Sequence, residues 1–339
     1  MLTSVMVPLS VLDLAIIGPG QTARDALRAT VSVAQRAEEL GYRRVWYAEH
    51  HNMGSIASSA TSVLVGHVAS HTRTIRVGAG GVMLPNHAPL LIAEQFGTLE
   101  ALYPGRIDLG LGRAPGTDPT TTRALRRDHM SSERFPEDVL ELQGYFADET
   151  RVPGVNATPG RGANVPLYIL GSSLFGAKLA ATFGLPYAFA SHFAPHDLVD
   201  AVALYRRAFR PSKQLAAPYV IAGLTVIAAE TSQRAEEQLR AVQRMRVSLL
   251  LGKGRMFTDE EADALLESPA GAQLKQMMTY AAVGTPDEVR TYVAEFVEHS
   301  GADELMTVHP APALDARLRS LELLADRPKA VAPAVSAEA

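Results

Sequence analysis

The sequence predicts a closed (β/α)8 barrel, a TIM barrel with insertions on its C-terminal face. Eight short runs rich in apolar and β-branched residues recur along the chain, and a stretch of helical period follows each. Several runs end in polar or glycine-rich residues, as barrel strands do where they reach the chemical face. Strands alternating with helices make a parallel sheet, and eight such units favour closure over an open doubly wound sheet. A barrel also suits 339 residues, which we read as one domain over 1–325 and a disordered tail, rich in Ala, Pro and Ser, over 326–339.

The elements follow in order. An opening strand lies near 5–12, and the first helix spans 22–40. Ala23, Ala26, Leu27, Thr30, Val33, Ala34, Ala37 and Leu40 share one face at helical spacing. Thr22 with Asp25 supplies an N-cap and an acidic first turn, and Gly41 a C-terminal stop. Strand two, 44–48, is aromatic and β-branched and ends at Glu49. A helix over 59–70 precedes strand 75–79. Pro89 opens a helix that Pro104-Gly105 stops, and strand 107–111 comes next. Runs 167–170, 187–190, 219–228 and 304–308 complete the eight. Segments 117–132 and 247–280 exceed the minimal unit, and each reads either as a lid or substrate loop or as a surface excursion.

Composition removes several function classes. A net charge of −4 gives no general attraction to nucleic acid or anionic membrane. The absence of cysteine removes disulfides, thiolate metal sites and cysteine nucleophiles, and fits a reducing cytoplasm. The start lacks a basic leader and no apolar run is long enough to span a bilayer, so a cytoplasmic protein is expected.

Candidate chemistry sits at the strand ends. Glu49-His50-His51 is either a hydrogen-bonded turn at the rim or a site for proton transfer near neutral pH. Strand alternation sends Glu49 and His50 to opposite faces unless the strand's end relaxes it. No set of converging ligands suggests a metal. Gly78-Ala79-Gly80-Gly81 is a tight turn, or a kink that pushes backbone toward a flat ring. Gly110-Leu111-Gly112-Arg113-Ala114-Pro115-Gly116 imitates a dinucleotide fingerprint, but its spacing is wrong and no helix opens at Gly116. Arg113 is instead a planar charged fork, for a phosphate or an internal salt bridge. Gly171-Ser172-Ser173-Leu174-Phe175-Gly176 enters a helix whose free N–H groups suit an anion, or ordinary serine capping. Ser191-His192 lines the pocket or caps the rim.

In their order and spacing these runs resemble the bacterial-luciferase-like, flavin-dependent monooxygenases, of the single-chain, non-luminescent type. The resemblance is strongest over 24–115 and 166–192. It implies that Glu49 and His50 are the catalytic acid–histidine pair, with His50 near the flavin. Gly80 and Gly81 would form a non-proline cis peptide supporting the isoalloxazine. Arg113 and Ser173 would bind phosphate, and Ser172 stands where luciferase proper has a glutamate. Gly176 replaces a phosphate-contacting threonine, and Ser191 and His192 occupy further flavin contacts. The implied activity uses reduced FMN and O2, through a flavin hydroperoxide, to oxidise a small organic substrate. A separate NAD(P)H:flavin reductase would supply the FMNH2, and the assembly would be a homodimer. Two alternatives stay open. One is a deazaflavin-dependent hydride transferase with Lys253 and Arg255 meeting the cofactor's acidic tail; the other is a non-catalytic flavin-binding protein.

Overall fold

The computed structural model describes residues 7–325 except 115, 253, 254 and 256. The tail over 326–339, the first residues of the expected opening strand, Pro115 and Lys253 therefore lie outside the described residues. Strands β1 (Leu9–Asp13), β2 (Arg44–Tyr47), β3 (Arg76–Met83), β4 (Ile107–Gly112), β5 (Leu167–Gly171), β6 (Tyr187–Phe189) and β7 (Val220–Ala228) pair in parallel, each with the next. A short β8 (Ala281–Gly284) pairs only with the C-terminal end of β7, while β9 (Glu304–Val308) joins β7 to β1. Strands β1–β7 and β9 thus close an eight-stranded barrel, as the sequence predicts.

Helices α1 (Ala23–Glu39), α2 (Thr61–Ser70), α3 (Pro89–Leu102), a short α4 (Pro119–Ala124), α5 (Phe135–Phe146), α6 (Leu174–Phe183) and α7 (Leu198–Ala208) link the first seven strands. They are followed by α8 (Ser232–Leu251), α9 (Asp259–Leu266), α10 (Pro269–Met277), α11 (Pro286–Ser300) and α12 (Leu314–Ala325). The cap of α1 is as expected: Asp25 N donates to Thr22 Oγ1 at 3.2 Å, and Thr22 N donates back to Asp25 at 2.9 Å. Ala26, Thr30, Val33, Ala34 and Ala37 are its buried face.

Two features differ from the sequence reading. Strand β3 does not stop at Ala79 but runs through both glycines to Met83, and its pairing with β4 shifts register between Ala79 and Val82. The glycine run is a bulge inside a strand rather than its terminus. And β8 was not expected, because Ala-Ala-Val-Gly has no β-branched or aromatic run and finds a partner only above β6 on β7.

The inside of the barrel is layered. At the N-terminal end Arg44 is fully buried, 2.8 Å from Glu304 and 2.7 Å from Asp108. Arg76 donates to Asp108 at 2.9 Å and Ser10 to Glu304 at 2.5 Å. Two cations face two carboxylates, so each buried charge has a partner. Above them lies an apolar layer that includes Leu12, Trp46, Tyr168, Ile221, Met306 and Val308. Trp46 and Tyr168 meet edge to face at 4.9 Å.

Helix α8 does not simply descend the outside of the barrel. Strand alternation puts Ile227 on the same face of β7 as the interior residue Ile221. Ile227 packs against Leu239 and Val242 of α8, so the helix crosses on the axial side, above the mouth. Val247 then packs with Ala262, Leu266 and Leu274, which fixes α9 and α10 onto it. No helix among the described residues is long and apolar enough to cross a membrane.

Candidate functional site

The strand ends that carry the candidate residues are consecutive around half of the mouth, from β2 to β6. Alternation along β2 places Arg44 and Trp46 inside the barrel, so Glu49 turns outward and His50 inward. The two are neighbours in sequence but do not form a hydrogen-bonded pair. Glu49 is buried and accepts from His51 Nε2 at 2.8 Å, His87 Nε2 at 2.8 Å and Met83 N at 3.1 Å. Burial alone would raise its pKa, but the hydrogen bonds from His87 and His51 and the Met83 N–H hold it below the ordinary glutamate value. Glu49 thereby ties the end of β2 to the end of β3. It also borders a cavity of about 300 Å³ that reaches Ser59, His87, Val63 and Gln95, between α2 and α3.

His50 is placed differently. Its backbone N–H donates to Ser58 O at 3.2 Å, but its buried Nδ1 has no partner. Burial pushes its pKa down, against a partial offset from the Glu49 charge, so the ring is neutral at pH 7. His192, after β6, behaves likewise: its Nδ1 is buried without a partner. Burial, with Arg246 and His50 adding to it, pushes the His192 pKa down to about 3. A Cβ on Gly223 would collide with His192 Nδ1, so a glycine on β7 makes the room for this ring. Ser191 is fully buried, and its hydroxyl donates to Gly223 O at 2.6 Å.

The Gly80–Gly81 peptide is cis. A Cβ on Gly80 would lie 2.8 Å from Trp46 Cβ, and one on Gly81 would lie 2.8 Å from Gly110 O. The glycines let bare backbone rest directly on Trp46 and on β4, giving the mouth a floor without side chains on this side.

Arg113 and the start of α6 come together. Gly112 is in register with Leu170, which brings the residues following β4 and β5 side by side. The Arg113 guanidinium stacks on Phe175, 4.0 Å from the ring centroid, in the first turn of α6. Ser173 is the N-cap, yet its side chain makes no capping bond, and Tyr187 Oη donates to its carbonyl at 3.0 Å. The first N–H groups of α6, a free serine hydroxyl and an arginine therefore share one corner, the chemistry of a phosphate site. Ser172 is half-buried beside them. Gly176 is buried, and a Cβ there would press Tyr187 Cε2 at 3.3 Å, so a larger residue would need that ring to give slightly. The residues present fit a flat phosphorylated cofactor: an anion corner, a glycine floor, and two neutral imidazoles whose buried Nδ1 atoms have no partner.

The insertion after β4 braces this site. Thr117 Oγ1 donates to His51 O at 3.1 Å, Asn52 to Asp118 at 3.0 Å, and Arg127 to Asn86 O at 3.2 Å. No helix begins until Pro119, which removes the dinucleotide reading of the Gly110 run. Sequence reasoning missed His87, whose link to Glu49 is long-range, and Arg246 on α8. Of the two basic residues set aside for a deazaflavin tail, Arg255 is held by Glu261 at 2.5 Å.

Comparison with known proteins agrees with this geometry. A family model described as luciferase-like monooxygenase matches residues 7–304. A luciferase-like monooxygenase of Escherichia coli strain K12 is 45% identical over 329 residues, covering 96% of this chain and 98% of that one. The N-acetyl-S-alkylcysteine monooxygenase of Bacillus subtilis is 40% identical over 275 residues, covering 78% and 80%. The apo-MsnO8 crystal structure superposes with a TM-score of 0.86 at 35% identity, covering 94% and 98%. Two more distant structures show the fold alone. One is the oxygenating constituent of 3,6-diketocamphane monooxygenase with FMN (18% identity, TM-score 0.71), which covers 94% of this chain and 96% of its own. The other is an F420-dependent secondary alcohol dehydrogenase (17%, 0.67), which covers 95% and 99%. With the family model spanning nearly all of the barrel, this chain belongs to the luciferase-like monooxygenases.

Proposed function

We propose that the chain binds reduced FMN at the barrel mouth and uses it with O2 to oxidise a small organic substrate. The observation that carries this reading is the joining of Arg113 to the start of α6, at a mouth that the Gly80–Gly81 backbone, His50 and His192 also border. When bound, reduced FMN would activate O2 for transfer of one oxygen atom to the substrate. Arg113, Ser173 and the α6 N–H groups would hold the phosphate, with Ser172 beside them. Gly80 and Gly81 would support the ring. Gly176 would contribute backbone only, and Ser191 would act through its hold on β7.

His50, neutral and inward-facing with an unpartnered Nδ1, would accept or return a proton at that nitrogen. Glu49 would position it indirectly, by fixing the loop that includes His51 and the end of β3. Helix α8 would exclude water from above. A separate NAD(P)H:flavin reductase would supply the reduced cofactor. We also propose a homodimer through α2 and α3, where Val63, Leu91 and Leu102 are 72%, 53% and 63% exposed; Val63→Asp should then give a monomer by light scattering.

Trp46, the single tryptophan of the chain, lies beneath Gly80 and makes a built-in reporter. Its fluorescence should fall on titration with FMN. Mixing the reduced complex with O2 should oxidise the flavin with consumption of substrate. Tighter binding of reduced deazaflavin, with no reaction toward O2, would replace this reading with the hydride-transfer one. FMN binding without any oxygenation would favour a carrier.

A further inference from the structure

The arginines of α8 fall into two sets. Arg234 lies 3.2 Å from Glu237, Arg240 lies 2.9 Å from Asp263, and Arg244 lies 2.7 Å from Asp263. Arg246 is different. It is half-buried, and it makes no hydrogen bond or ion pair among the described residues.

Its position on the helix says where it points. Ala235, Leu239, Val242 and Arg246 follow one another at helical spacing along a single stripe. Ala235 and Val242 are buried, and Leu239 and Val242 pack on Ile227 above the barrel axis. One turn further on, the stripe that covers the mouth ends in a guanidinium. The charge reaches His192, whose ring feels both Arg246 and His50. An unpaired cation in such a place is unfavourable, and packing does not call for one, since a leucine would continue the stripe. Burial lowers the Arg246 pKa with no carboxylate to offset it.

The phosphate corner is provided for by Arg113 and α6. With His50 and His192 neutral, Arg246 leaves its side of the mouth with one positive charge, which suits a monoanion. A guanidinium fork pairs two-point with a carboxylate. We infer that Arg246 determines specificity by binding a carboxylate on the substrate, with the apolar remainder of that molecule lying between α8 and the floor of the mouth. The inference rests on the proposed function insofar as the bound acid is the molecule oxidised.

The test uses hexanoate and hexanamide, alike in size and differing in charge, titrated calorimetrically into the protein with and without FMN. Wild type should bind hexanoate about tenfold or more tightly than hexanamide. Arg246→Gln should lose that preference while hexanamide binding stays the same, and Arg246→Lys should keep part of it. FMN affinity, read from Trp46 quenching, should stay within about twofold of wild type. As a further check, Arg246→Met should raise Tm, since it removes an unpaired half-buried charge, and hexanoate should raise Tm of wild type but not of Arg246→Met.

Equal affinity for the two probes in wild type would overturn the inference, as would a preference that survives in Arg246→Gln. A large loss of FMN affinity in the variant would assign Arg246 to the cofactor instead. If wild type fails to bind FMN but still prefers hexanoate, the flavin reading falls and the carboxylate site stands.

Discussion

Replacing Arg113 by alanine tests the phosphate corner most directly. The guanidinium is exposed and held by its stack on Phe175 at 4.0 Å, so its preorganised position is known and its interactions are screened by water. Hydrogen bonds to charged groups contribute about 1.5–3 kcal/mol, and the exposure selects the lower end of that range. A loss of ~1.5 kcal/mol corresponds to about tenfold in Kd. The α6 N–H groups and the Ser173 hydroxyl remain, so binding should weaken rather than vanish. Riboflavin, which has the ring without the phosphate, is the control. Trp46 quenching should show Arg113→Ala binding FMN about tenfold more weakly and riboflavin as wild type does. Arg113→Lys should fall between, keeping the charge but losing the planar stack. Unchanged FMN affinity, or an equal loss for FMN and riboflavin, would refute the assignment.

Further outcomes follow from the same geometry. His50→Ala should leave FMN affinity near wild type and slow substrate oxidation by about 10²-fold or more, measured as product per flavin in single turnover. His192 refuses a proton in the folded state until pH falls to about 3, whereas the unfolded chain binds one near 6.5. Folding stability should therefore fall as pH drops below 6.5, by about 2 kcal/mol at pH 5 from this residue. Urea melts of His192→Asn should show a shallower acid dependence, and parallel curves would contradict the buried neutral ring. Glu49 has a lowered pKa, so its contribution is present above the ordinary glutamate value and lost as pH falls through its folded value. Glu49→Gln should accordingly show a Tm deficit at pH 7 that shrinks below about pH 4.5.

The barrel was legible because its signals are local. Apolar β-rich runs, the Thr22–Asp25 cap and the Pro104-Gly105 stop are each set by residues within a few positions of one another. What escaped depends on distant partners. Ala281–Gly284 is a strand only because the top of β7 offers an unpaired edge. Continuation of β3 through Gly80 and Gly81 depends on β4 resuming its pairing at Leu111 and Gly112.

The acid–histidine motif shows the same limit. Alternation along a strand already sent Glu49 and His50 to opposite faces, and the structure follows that rule. The partners of Glu49 proved to be His51, two residues away, and His87, which no local pattern connects to it. Arg246 did carry a signal, a charge on the apolar stripe Ala235-Leu239-Val242. It shows as a mouth residue only once α8 is seen to cross the axis.

The ionic layer around Arg44 gives the barrel a sealed base. Arg44, Arg76, Asp108 and Glu304 neutralise one another beneath Trp46, so the barrel is a cup and not a tube. A molecule resting above Trp46 is reached from the mouth side, which α8 spans. The base offers no route, so whatever enters or leaves the barrel does so on the side that α8 crosses.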